Sequence, residues 1–280
     1  MFHYSFYHND LHIKSYKRLY SHLLGENKSG LGGNGLNFRE LREYNTSDDI
    51  RHLNWKVTAR TNNPCVNLFD EDKKLNITLV YLVSGGIYFG SIRSKKEVMD
   101  EIFANLYFAG LGKKDRVSSV VFSEYEEAGT SPSQNKSSMM RALQNISKLE
   151  VLGKNVDFNT LEQHLLHKIK PKSLLFLIGD FLELPNLKFL SAKHELYCIV
   201  VRDKYEEDIE FLDDCNLLEL NGERSKKFYY NTTTIQNYKK LMVEHDALLF
   251  DYFKKYQIKS KKIYTHQDPI VELSSFLRDM

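Results

Sequence analysis

The chain has 280 residues, with 39 Lys and Arg against 37 Asp and Glu, a formal charge of +2 and 42% hydrophobic residues. This length supports a sizeable core without staples, and interleaved charge of this kind argues against a dedicated nucleic-acid binder. Cys65, Cys198 and Cys215 form no C-x-x-C pair, residues 1–10 lack the apolar run of a secretory signal, and no window reaches the ~18 apolar residues of a membrane span. The expected setting is the reducing cytoplasm.

In chain order, Leu11, Ile13, Tyr16, Leu19, Tyr20, Leu23 and Leu24 recur at helical steps and predict an amphipathic helix over residues 11–24. Gly30, Gly32, Gly33 and Gly35 then punctuate the chain before a densely charged segment, 38–60, that has no clean periodicity. Four short, nearly continuous apolar runs follow at 77–83, 117–122, 174–178 and 196–201, the pattern of strands covered on both faces. Between the first two, Ser94 and Glu97 stand at capping-box spacing. Val98, Met99, Ile102, Phe103, Leu106 and Tyr107 form one helical stripe behind them, with Gly110 and Gly112 as expected stops. Helices are expected near 138–147, 159–169, 185–191 and 234–256, a strand at 258–264, and a last helix capped by Asp268-Pro269.

The alternation predicts an α/β fold, a doubly wound and mostly parallel sheet with helices on both faces. Three segments are expected: 1–74 as a helical and charged extension, 75–203 as the sheet domain, and 204–280 as a helical elaboration packed on it. Ligands of such sheets sit at the carboxyl ends of the strands where strand order reverses. That directs attention to Val83-Ser84-Gly85-Gly86-Ile87-Tyr88-Phe89 and to Gly179-Asp180-Phe181.

Several separated blocks carry a family resemblance: Gly35-Leu36-Asn37-Phe38-Arg39-Glu40-Leu41-Arg42-Glu43-Tyr44, Asp48-Asp49-Ile50-Arg51, Asn54-Trp55, Thr58-Ala59-Arg60-Thr61, Gly179-Asp180-Phe181 and His194-Glu195. In this order they resemble the bacterial family catalogued as domain of unknown function 58, in which the first blocks precede a von Willebrand factor A-like domain. The resemblance implies that fold, and often a metal-ion-dependent adhesion site built from Asp-x-Ser-x-Ser, a Thr and an Asp. Here Ser84 and Asp180 remain, while Leu82, Gly86 and Val156 stand where oxygen donors belong. Magnesium needs about six oxygen ligands, so no tight metal site and no cofactor are expected, with Leu82 pressing hydrocarbon towards the vacated cation position. The resemblance also implies a protein partner, a MoxR-type AAA+ ATPase.

The leading expectation is therefore a non-enzymatic interaction module that binds through Ser84, Gly85, Gly86, Tyr88, Phe89 and Asp180. The alternative is a hydrolase or phosphoesterase using Asp180 with Ser84 or a nearby His. Arg42, Glu43, Asp48, Asp49, Arg51, Trp55 and Arg60 are expected to form a charge network that docks the extension on the sheet domain; a partner-recognition surface is the other reading of the same residues. Gly30-x-Gly32-x-x-Gly35 matches a dinucleotide fingerprint in letters only, because it follows a helix instead of a strand. The basic run Lys254, Lys255, Lys259, Lys261 and Lys262 reads as a solvated face more readily than as a nucleic-acid contact.

Overall fold

The computed structural model describes residues 37–46, 48–70, 74–112, 114–208, 216–218, 225–227 and 232–278. The chain divides into compact units between Lys74 and Leu75. The expected helix at 11–24 and Gly30, Gly32, Gly33 and Gly35 lie outside the described residues.

In the smaller unit, β1 (Asn37–Glu43) pairs antiparallel with β2 (Cys65–Asp70). The charged segment lacks periodicity because it splits between a strand, a 3-10 turn (Ile50–His52) and a short helix, α1 (Trp55–Thr61). Its polar residues set those boundaries. Asp49 accepts from Arg51 N, Asn54 caps α1 by accepting from Val57 N, and Asn62 ends it in the left-handed region at φ 55°.

The larger unit is built on a six-stranded sheet. Its strands are β3 (Asn76–Leu82), β4 (Arg116–Phe122), β5 (Glu126–Ser133), β6 (Leu174–Gly179), β7 (Glu195–Arg202) and β10 (Lys259–Tyr264). A separate two-stranded ribbon, β8 (Asn216–Leu218) with β9 (Ser225–Lys227), lies between β7 and β10 in sequence. The sheet order is β10-β7-β6-β3-β4-β5, parallel except for β5. The four apolar runs are thus its four central strands. Order reverses between β3 and β6, which places the switch point at Ser84 and Asp180.

Helix α2 (Lys95–Gly112) crosses from β3 to β4 and is opened by the expected capping box: Glu97 N donates to Ser94 Oγ at 3.2 Å, and Ser94 N to Glu97 Oε2 at 3.0 Å. Gly110 is not a stop; it lies inside α2, where a Cβ would stand 2.5 Å from Val117 Cγ2. Helices α3 (Lys136–Ser147), α4 (Phe158–Lys168) and α5 (Lys188–Lys193) follow, then α6 (Lys204–Glu207), α7 (Thr232–Lys255) and α8 (Pro269–Phe276). On one face Val80, Leu82, Phe122, Leu177 and Val200 pack with Phe158, Leu161, Phe181, Leu249 and Phe253 in a single core.

Two elements differ from expectation. β5 is an antiparallel edge strand that the polar sequence EEAGTSPS conceals, since only Thr130 in it is buried. Beyond Asp203 the chain is more than an elaboration, because β10 pairs with β7 and completes the sheet.

Ahead of β4, Asp115 is buried and accepts a hydrogen bond from Leu75 N at 2.9 Å. Burial raises its pKa to about 6 despite that bond. Between about pH 4 and 6 the folded state therefore holds a proton that the unfolded chain has released, and stability falls as pH rises through that window. Asp115→Asn is expected to raise the melting temperature at pH 7 and to lose that advantage near pH 4, as thermal melts across the range would show.

Candidate functional site at the carboxyl ends of the strands

The 84–94 loop after β3 and the 180–187 loop after β6 meet above the switch point. Ser84 Oγ donates to Asp180 Oδ2 at 2.8 Å. A third residue completes the cluster: Lys95, in the first turn of α2, is fully buried, with its ammonium 2.5 Å from Glu206 Oε1 and 3.5 Å from Asp180 Oδ2. Glu206 is held in turn by the capping box of α6, where its Oε2 accepts from Asp203 N. Beneath them the guanidinium of Arg202, also fully buried, donates from Nη1 to Asp180 O and from Nη2 to Phe181 O at 3.3 Å and Asp246 Oδ1 at 3.4 Å. These bonds hold Phe181 in the left-handed region, at φ 47°.

The loop over this cluster is clamped from below. Asp203 Oδ2 accepts from Ser91 N at 2.9 Å, Ser91 Oγ at 3.0 Å and Thr265 Oγ1 at 2.5 Å. Burial pushes the Asp203 pKa up, but these bonds outweigh it and hold the carboxyl below its ordinary range. Arg93 donates to Thr265 O at 2.7 Å and Gln267 O at 2.6 Å and pairs with Glu101.

The sequence-derived site residues divide sharply. Ser84 is half-buried, Asp180 is 4% exposed, and Gly85 and Gly86 are buried. Part of the glycine backbone is engaged within the chain: Gly85 N donates to Lys154 O at 2.8 Å, and Gly86 O accepts from Phe89 N at 3.1 Å. A Cβ on Gly86 would stand 2.7 Å from Asp180 Oδ2, so the absent side chain makes room for the carboxylate and not for a ligand. Leu82 does not press towards a cation position either. It lies in the core against Gly179, whose missing Cβ would come within 2.8 Å of it, and Val156 joins the same core. Tyr88 and Phe89 are exposed as expected. They share the crest with exposed Ile92 on the same loop, Leu152 on the loop bonded to Gly85, and Leu182 and Leu184 on the loop after β6.

Sequence reasoning missed Lys95, Glu206 and Arg202. One signal was available for the first: cations are disfavoured at a helix N-terminus, yet Lys95 and Lys96 both stand in the first turn of α2. Lys96 is answered by Asp100 at 2.7 Å and Lys95 by Glu206. Among the described residues no cluster of three or more His, Cys, Asp or Glu is arranged to hold a metal. His164 bonds Glu126, and Lys259, Lys261 and Lys262 of the basic run pair with Glu195, Glu272 and Glu207.

A family profile described as "Protein of unknown function DUF58" matches residues 40–247. The chain belongs to this family. Its relatives include uncharacterised proteins of Mycobacterium tuberculosis and Mycobacterium bovis, each 22% identical over 233 residues, which cover 80% of this chain and 73% of the relative. Among solved structures, the conserved hypothetical protein BatB from Bacteroides thetaiotaomicron superposes with TM-score 0.46 at 9% identity, over 73% of this chain and 98% of that one. An aerotolerance-related membrane protein from Bacteroides fragilis does so with TM-score 0.44 at 10% identity, over 74% and 100%. Among the described residues of this DUF58 chain, no helix is long and apolar enough to cross a membrane.

The charged blocks that carry the DUF58 resemblance pair locally. Arg42 clasps Asp48 through two bonds of 2.9 and 2.7 Å, and Asn45 N donates to the same carboxylate at 2.8 Å. Asn45 N and Arg42 together lower the Asp48 pKa. Arg51 binds Asp49, whose pKa falls to about 2 through that pairing. Glu43 accepts from Asn63 at 3.4 Å, and Trp55 is 68% exposed. Both clasps join residues of a single unit, six and two positions apart, and so shape its connection. Arg51→Ala is expected to leave the melting temperature unchanged, because an exposed pair contributes little; a loss of several degrees in a thermal melt would contradict this.

Proposed function

We propose that this DUF58 chain is a von Willebrand factor A-like, non-enzymatic interaction module, a cytoplasmic adaptor that docks a protein on the crest of its sheet without a metal ion. One observation carries the reading. The polar groups at the switch point are bonded to one another and buried or half-buried, whereas the exposed groups around them include the apolar side chains of Tyr88, Phe89, Ile92, Leu152, Leu182 and Leu184. Aromatic and aliphatic side chains on clamped loops are the anchors of interfaces that bind by burial, and free, buried Cys65 and Cys198 suit a reducing compartment.

The hydrolase alternative has less support. Lys95 and Asp180 are closed to a substrate, the Ser84 hydroxyl is directed at a carboxylate, and among the described residues no histidine bonds either group.

The family resemblance points to a MoxR-type AAA+ ATPase as partner. The test is the affinity of the full chain for the MoxR-type ATPase of its own host, measured by interferometry in EDTA and in magnesium. Equal affinities are expected, with a loss of about tenfold or more in Phe89→Ser/Leu184→Ser, since two apolar anchors contribute about 1–2 kcal/mol each. Binding abolished by EDTA and restored by magnesium would sink the metal-free reading, and an unaffected double variant would move the docking face elsewhere.

A further inference from the structure

We infer that Lys95 is a tethered cation: its ammonium occupies a site whose oxygen donors, Asp180, Glu206 and Ser84, would otherwise take a divalent metal. Three separate elements deliver those donors to one small volume. Ser84 comes from the end of β3, Asp180 from the end of β6, and Glu206 from α6, which follows β7. Two carboxylates and a hydroxyl are the donor chemistry of magnesium or manganese, with water filling the remaining positions. The ammonium lies 2.5 and 3.5 Å from the two carboxylates and 3.6 Å from the point where a Gly86 Cβ would stand, so the cavity is closed around it.

Charge explains why the site needs a cation of some kind. Asp180 and Glu206 are nearly buried and converge on one point, and like charges so placed repel strongly when nothing lies between them. A covalently attached ammonium meets this need at every metal concentration. It also denies the position to solvent ions and to an acidic side chain from a partner, because Lys95 has no exposed surface. The inference deepens the metal-free part of the proposed function. It is read on the isolated chain, so a failure here leaves the affinity test of the docking face standing, and the reverse.

The test uses thermal melts of the full chain carrying Lys95→Ala, in EDTA and in 10 mM manganese as probe. The variant is expected to melt well below the native chain in EDTA and to gain roughly 5–10 °C in manganese, the shift that saturating one site gives a protein of this size. The native chain and the neutral variant Lys95→Ala/Asp180→Asn/Glu206→Gln are expected to show no manganese response. A folded Lys95→Ala indifferent to manganese would overturn the inference. So would one that stays unfolded in manganese while the neutral variant folds, or an equal manganese gain in the neutral variant.

Discussion

Lys95→Met is expected to destabilise the sheet unit by about 3–5 kcal/mol, the range for breaking a buried ion pair by removing one partner. The size follows from what is left behind. Methionine nearly fills the space of the lysine stem, so little packing is lost. Asp180 and Glu206, with side chains only 5% and 11% exposed, would then face each other with no cation between them. The adjacent Lys96 provides the comparison: it pairs with Asp100 one turn along α2, also largely out of water, but Tyr81 Oη donates to the same carboxylate at 2.8 Å. Lys96→Met is expected to cost clearly less than Lys95→Met, because it leaves a single carboxylate that keeps a donor instead of two that converge. Denaturant unfolding of the two variants separates the loss of a cation between two carboxylates from the loss of one beside a single carboxylate, and equal losses would show that Lys95 has no special place.

Arg202→Met is expected to cost about 3–5 kcal/mol for a related but distinct reason. Arg202 supplies donors to the carbonyls of Asp180 and Phe181, neither of which can turn to solvent without undoing the end of β6. Phe181 stands at φ 47° and packs between Phe158 and Phe253, so its backbone is held against its own preference by these bonds and by the core. Loss of the donors frees that strain and displaces Asp180 from Ser84. A dependence on pH accompanies it. Burial raises the Asp246 pKa, but the bond from Lys262 and the charge of Arg202 outweigh it and hold the carboxyl below its ordinary value. Asp246 therefore contributes stability above its unfolded pKa of about 4, and that contribution is lost as pH falls through the depressed folded value. The variant is expected to lose less stability than the native chain on acidification. Denaturation at pH 7 and pH 3 measures both effects, and a native-like midpoint at pH 7 would remove Arg202 from the account.

The central strands were legible because a strand covered on both faces must be apolar throughout, and four such runs lie between stretches of helical period. The switch point followed from the alternation, so Ser84 and Asp180 were found by position before any geometry was available. β5 was hidden by its own chemistry: an edge strand with one wet face has no need of an apolar run, and Pro132 and Gly129 disguise it further. Leu82 was misread for a similar reason. Sequence spacing gives its register in β3, but the side to which it packs depends on Gly179 in a strand nearly a hundred residues later. Lys95 and Glu206 were illegible as a pair because 111 positions separate them and only the crossing of α2 over the end of β7 brings them together.

Calorimetric titration of the native chain with manganese at neutral pH measures the state of the crest most directly. The expected result is no saturable site, because Lys95 already holds the position between Asp180 and Glu206. A stoichiometric site of micromolar affinity, abolished by Asp180→Ala, would contradict it.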